Sequence, residues 1–181
     1  VRGTFVGSVC HADPQGDWAA TMIALNGSIV VQGPKGKRTI AMKDFVLGPY
    51  ANSLNYNEIA IEAVIPAPKG IARGGYLKLE RRVGDFATAS VAVALDMNGD
   101  TVLGAGFALA GVGGKTIDAN EAASALIGQK LTEATIAKAA ALVAAKAEPR
   151  TDHRGSAEYK RHIIETFVKR ILVANSAQKV A

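Results

Sequence analysis

The residues with chemistry to offer gather at the start of the chain. Within Gly3-Thr-Phe-Val-Gly-Ser8, Thr4 and Ser8 supply hydroxyls, and Gly7 allows backbone N–H groups close to a ligand. A loop of this kind that ends at a helix N-terminus suits an anion such as a pyrophosphate. The same residues also describe an ordinary strand–turn–helix, because glycine-rich turns before helices are common. Asp13-Pro14 and Asp17-Trp18 come next, and either aspartate is placed to N-cap a helix over residues 13–25. Farther along, Lys78 precedes Arg81, Arg82 and Asp85, which taken alone form a surface ion-pair group of small energetic weight. His11, His153 and His162 show no metal-ligand spacing. Cys10 is the only cysteine, so it forms no internal disulfide and holds neither zinc nor an iron–sulfur cluster by itself. Its expected role is a packed thiol.

The elements that must position these groups follow from periodicity and turn chemistry. After the first helix, Asn26-Gly27 leads to a strand over 28–32, a turn at Gly33-Pro-Lys-Gly36 and a returning strand over 38–41. A loop runs from Lys43 to Leu54. Residues 58–65 alternate in polarity through Ile59, Ile61, Ala63 and Ile65, the period of a half-buried strand. Pro66-Ala-Pro-Lys-Gly70 changes the composition and divides the chain into 1–66 and 67–181. Three strands are expected at 75–81, 88–95 and 101–110, the last two joined through Asn98-Gly99. Helices are expected at 119–127, from Thr132 to about Ala147, and from Ser156 onward, with Tyr159, Ile163, Phe167 and Ile171 as a core stripe. Strands followed by helices, without βαβ alternation, indicate an α+β fold: an α+β subdomain, then a three-stranded antiparallel sheet packed with helices.

Composition narrows the function classes. Of 181 residues, 49% are hydrophobic and 20% charged, which excludes a disordered chain. The 21 basic and 16 acidic residues give a net charge of +5, but the basic ones are scattered and lack aromatic interleaving. Nucleic-acid binding is therefore not expected, whereas a phosphate-bearing cofactor or an acidic partner is compatible. No apolar run approaches a membrane span, and no signal pattern opens the chain, so a cytoplasmic protein is expected. Val1 in place of an initiator methionine suits a processed product or a piece of a longer protein.

Arg2-Gly-Thr-Phe-Val-Gly-Ser-Val-Cys-His-Ala-Asp-Pro-Gln-Gly-Asp17 resembles the R-G-T-x-G-G-S/N-x-x-x-A-x-P-x-x-D signature of molybdenum hydroxylase flavoproteins. These are the FAD-binding medium subunits of carbon monoxide dehydrogenase and the flavin region of xanthine dehydrogenase. The similarity continues through Arg38–Phe45, Leu54–Glu58, Ile65-Pro66, Lys78–Ala87 and Asp152–Tyr159, and so covers nearly the whole chain. The resemblance implies FAD contacts by Thr4, Phe5, Val6, Gly7, Ser8 and Asp17, packing of Leu54 on the cofactor, and Lys78 beside it. It implies that the loop over residues 79–86 borders the flavin. It further implies an electron-transfer oxidoreductase subunit with no catalytic acid or base of its own. Molybdopterin would reside in a large partner subunit and [2Fe-2S] clusters in a small one. The sequence departs from the pattern in two ways. Val6 replaces the first glycine of the Gly-Gly pair, and the family's N-terminal subdomain with its phosphate loop is missing. The FAD site is accordingly incomplete in this chain, which is then either the C-terminal two-thirds of such a subunit or a natural split version whose missing part another chain supplies. Loss of the flavin, leaving a structural docking subunit, is the alternative.

Overall fold

A computed structural model describes residues 3–176. Two helices come first, α1 (Phe5–His11) and α2 (Asp17–Ala24). They are followed by the hairpin β1 (Ser28–Gly33) and β2 (Gly36–Ala41), the single turn α3 (Met42–Phe45), and the short pair β3 (Val46–Gly48) and β4 (Ala51–Asn52). Strand β5 (Ile59–Val64) returns to pair with β1, which gives a sheet in the order β2-β1-β5. The second sheet is an antiparallel meander of β6 (Ile71–Leu79), β7 (Ala89–Asn98), β8 (Thr101–Ala110) and the two-residue β9 (Ile117–Asp118). A 3-10 helix (Asn120–Ala125), α4 (Glu133–Ala145) and α5 (Ala157–Ser176) complete the fold. The architecture is α+β, and the expected three-stranded sheet gains β9 as a short fourth strand.

Strand periodicity gives the meander two unlike faces. One carries Leu77, Leu79, Val91, Val93, Leu95, Phe107 and Leu109, which form a core with Ile136, Ala139, Ala140 and Val143 of α4 and Ile164, Phe167, Val168, Ile171 and Leu172 of α5. The opposite face carries Ala92, Ala94, Ala108 and Ala110, and belongs to a second core with Ala19, Ala20, Ile23 and Ala24 of α2 and with Ile29, Val31, Met42 and Phe45. Small residues are needed there because α2 lies directly on the strands. A Cβ built on Gly106 would sit 1.9 Å from the Ala24 carbonyl oxygen.

Several local expectations change. The helix expected over residues 13–25 is α2, which starts at Asp17 with Gly16 as N-cap, so neither aspartate caps it. Asp13 Oδ1 instead accepts the Gln15 N–H at 2.8 Å, a local turn that competes with the helix. The alternation in β5 is broken part-way: Ala63 faces inward as expected, but Ile59 and Ile61 do not. Its pairing with β1 slips between Val30 and Val31, and Ile59 (64%) and Ile61 (43%) are exposed while Ala60 and Ala63 pack inward. The alanine-rich stretch at 119–127 forms a 3-10 helix because Asn120 is tethered: its Oδ1 accepts the Phe107 N–H at 2.7 Å. Thr132 and Thr135 form the reciprocal cap of α4. Tyr159 is largely exposed, and Ile164, Val168 and Leu172 share the buried stripe with Phe167 and Ile171. Among the described residues no helix is long and apolar enough to cross a membrane.

Candidate cofactor-binding face

Tyr76, Lys78 and Glu80 lie at alternate positions at the end of β6, and thus on one face of the sheet. That is the small-residue face, and α2 is seated on it with its first residue, Asp17, over β6. Asp17 Oδ1 accepts the Tyr76 hydroxyl at 2.7 Å, and Oδ2 accepts Lys78 Nζ at 3.0 Å. Lys78 Nζ also donates to the Asp85 carbonyl at 3.1 Å, which draws in the loop that follows β6. Glu80 Oε2 stands 3.1 Å from the same nitrogen without hydrogen-bond alignment, and this buried oxygen has no donor. Burial opposes the Lys78 ammonium, but Asp17 and Glu80 outweigh it and hold the pKa above its usual value. Burial, reinforced by the Asp17 charge, pushes the Tyr76 phenol upward, so it stays a neutral donor.

The glycine-rich segment is built into α1. Thr4 is its N-cap, and Thr4 Oγ1 accepts the Gly7 N–H at 3.0 Å. The Gly7 donor is therefore engaged by the chain itself. A Cβ at Gly7 would meet Thr4 Oγ1 at 2.8 Å, which explains glycine here by the cap. Val6 takes helical backbone, so its Cβ causes no strain. Ser8 continues the helix and is exposed. Phe5 meets Trp18 edge-on, with centroids 4.9 Å apart, and Trp18 remains 48% exposed. Trp18, the solvent-facing member of this pair, directly follows Asp17 in the chain, while Phe5 packs on the second core.

The fold brings Asp17 and Lys78 into direct contact and sets Phe5 against the residue after Asp17. Leu54 lies elsewhere. It packs on the α2 core, and its backbone N–H is held by Asn52 Oδ1 at 3.0 Å, while Asn52 Nδ2 donates to the Cys10 carbonyl near the end of α1. Burial raises the Cys10 pKa, the behaviour of a packed thiol. His11 leans on Tyr50, and among the described residues no group of three or more His, Cys, Asp or Glu is arranged for a metal ion. Sequence reasoning did not single out Tyr76, Glu80 (placed only within the loop over 79–86) or Trp18. The signal for the first two was available: three polar residues at alternate positions of an expected strand mark one face.

As a test of fit to FAD, this face offers exposed aromatic surface, an anchored carboxylate beside a lysine, and the exposed N-terminal turn of α1. These suit one wall of such a site. Comparisons with known proteins agree. The model of the FAD binding domain in molybdopterin dehydrogenase matches residues 1–68, and that of the CO dehydrogenase flavoprotein C-terminal domain matches residues 75–174. The carbon monoxide dehydrogenase medium chain of Hydrogenophaga pseudoflava is 36% identical over 96% of this chain and 60% of its own length. The nicotine 6-hydroxylase medium subunit of Paenarthrobacter nicotinovorans is 34% identical over 98% and 62%. A solved structure of carbon monoxide dehydrogenase from Hydrogenophaga pseudoflava superposes with a TM-score of 0.90 at 38% identity, covering 96% of this chain and 60% of that one. The chain therefore spans about three fifths of the length of these relatives. With two adjoining family models and a shared backbone, the chain belongs to the FAD-binding medium-subunit family of the carbon monoxide dehydrogenase and xanthine dehydrogenase type.

Proposed function

We propose that this chain is part of an FAD-binding electron-transfer subunit of a molybdenum hydroxylase complex. Electrons from a molybdopterin centre in a large subunit would cross [2Fe-2S] clusters in a small subunit, reach FAD and leave to an external acceptor. The observation that carries this reading is the Asp17–Lys78 contact at 3.0 Å, which joins the α2 N-terminus to β6 next to Trp18 and its Phe5 neighbour. FAD, when bound, supplies all of the redox chemistry, and the chain supplies position and electrostatics. Asp17 offers a fixed carboxylate; Thr4, Phe5, Val6, Gly7 and Ser8 offer the first turn of α1 and its aromatic neighbour. Leu54 contributes apolar packing at the far end of α1, and Lys78 sets the local charge. The same proposal divides the chain at residues 1–66 and 67–181. It places the protein in a reducing, cytoplasmic setting, in keeping with its single cysteine. The rest of the FAD site lies outside these residues, in the same polypeptide or in another.

A second reading, a flavin-free docking subunit in such a complex, is favoured by one observation. The Thr4 hydroxyl and the Gly7 N–H are engaged with each other rather than left for a ligand. Intact mass and cofactor content, measured on one preparation of the natural complex, separate the two. FAD at one per chain supports electron transfer, and the mass then tells whether the site is built from one polypeptide or two. A complex without FAD refutes electron transfer and leaves the docking role.

A further inference from the structure

We propose that Glu80 and Tyr76 are positioning residues that clamp the Asp17–Lys78 pair, so that Lys78 acts as a fixed charge and not as a hydrogen-bond donor to a ligand. The setting of this inference rests on the FAD-binding reading, but the clamp itself is a property of the chain.

A lysine ammonium has three N–H donors. One reaches Asp17 Oδ2 and one the Asp85 carbonyl, while Glu80 Oε2 lies 3.1 Å away as an ion-pair partner. The Lys78 side chain is only 18% exposed. Withdrawing it toward a ligand would leave the Glu80 oxygen, already buried without a hydrogen-bond donor, unpaired as well. The Glu80 side chain is 23% exposed, so parting it from the ammonium costs less than for a fully buried charge, yet it still opposes opening of the pair. Tyr76 completes the clamp from the other side. Its hydroxyl takes Asp17 Oδ1, and with Lys78 on Oδ2 the carboxylate is held at both oxygens. Asp17, fixed in this way, becomes the group presented beside Trp18.

The cluster holds two carboxylates against one ammonium. Reduction adds negative charge to a flavin, so each charge in the cluster biases the FAD couple in a direction set by its sign. Replacing Glu80 removes a negative charge and raises the midpoint potential; replacing Lys78 removes a positive one and lowers it. A purely structural role has no reason to reverse sign between the two.

The first experiment needs no FAD. Trace labelling of lysine amines in the natural protein, read by peptide mass spectrometry, compares Lys78 with Lys160, which is 3% exposed and reports an intact fold. The expected result is a severalfold rise in Lys78 labelling in Glu80→Gln and in Tyr76→Phe, with Lys160 unchanged. Lys78 labelling equal to wild type overturns the clamp. If Lys160 also labels in Glu80→Gln, that variant has lost its fold and the milder Tyr76→Phe decides. The second experiment measures the FAD midpoint potential in the complex for Glu80→Gln and Lys78→Met. Opposite shifts support the charge role, and shifts of one sign, or none, overturn it. A wild-type complex without FAD defeats the electron-transfer proposal alone, because the labelling result stands independently.

Discussion

Replacing Gly106 with alanine tests how the site is positioned, and Gly104 provides its control. Both glycines lie on β8, two residues apart and therefore on one face. A Cβ at Gly106 would lie 1.9 Å from the Ala24 oxygen and 2.9 Å from its carbonyl carbon. Ordinary contact begins at 3.4 Å, so α2 must lift by about 1.5 Å (3.4 minus 1.9). The obstacle is backbone, and rotamer changes cannot relieve it. Lifting α2 also strains the bond from Asn120 Nδ2 to the Ile23 carbonyl and uncovers the alanines of the second core. Overpacking of this kind costs about 3 kcal/mol, the upper end of the usual range. At Gly104 the nearest atom to a built Cβ is Asp96 Cβ at 3.6 Å, an ordinary contact. Alanine there should be neutral or stabilising by about 0.5 kcal/mol, through a less flexible unfolded chain.

Urea unfolding followed by far-UV circular dichroism and by Trp18, the only tryptophan, measures both variants. For a chain of this size the Gly106→Ala penalty corresponds to a melting temperature lower by about 6–12 °C. The eight-residue α2 transmits the displacement to Asp17 at its other end, so Lys78 labelling should rise in Gly106→Ala and not in Gly104→Ala. Equal stability of the two variants within about 0.5 kcal/mol would refute the close seating of α2 on the sheet.

Three further outcomes follow from the same structure. Asn175 is buried and bonds the Gly74 backbone through both N–H and C=O, as well as the Ile171 carbonyl, so Asn175→Ala should lose about 1–3 kcal/mol in chemical denaturation. The Arg38 hydrogen bond, aided by the Asn55 N–H, holds Glu58 at a pKa of about 2, below its ordinary 4.5. A depressed carboxylate stabilises the fold above its unfolded pKa, so the stability advantage of wild type over Glu58→Gln should be full at neutral pH and fade between pH 4.5 and 2 in acid titrations. Thr4→Ala removes the α1 cap and should cost about 1 kcal/mol, with faster amide exchange over residues 5–8 by mass spectrometry.

How far the sequence revealed this molecule depends on the range of the interaction involved. The β1–β2 hairpin, the α4 cap at Thr132 and the β7–β8 turn at Asn98-Gly99 are set by neighbours, and all are legible from local chemistry. The expectation for β5 goes astray because a single slip opposite Val30/Val31 changes which residues face inward, and no local signal encodes that slip. The helix expected over 119–127 has the right alanine content, but Phe107 and Asp118 fix Asn120 and decide the geometry. The Asp17–Lys78 pair is the extreme case, since its partners are 61 residues apart. The family motif marks both residues, yet nothing local says that they touch or that Tyr76 and Glu80 join them.

The position of the pair explains why a charged cluster is tolerated beside two apolar cores. β6 is the outer strand of its sheet, paired only with β7, and Lys78 lies near its end in register with Ser90 and, across β7, Ala110. Charges there lose less hydration than they would on β7, whose residues are buried on both faces. The N-terminus of α2 supplies the carboxylate that hydrogen-bonds the lysine, an alignment Glu80 lacks. The arrangement needs both stretches of chain: Phe5, Asp17 and Trp18 come from α1 and α2, and Tyr76, Lys78 and Glu80 from the end of β6 and the residue after it. The candidate site is a product of the packing between α2 and the meander, and Gly106 is the residue that permits that packing.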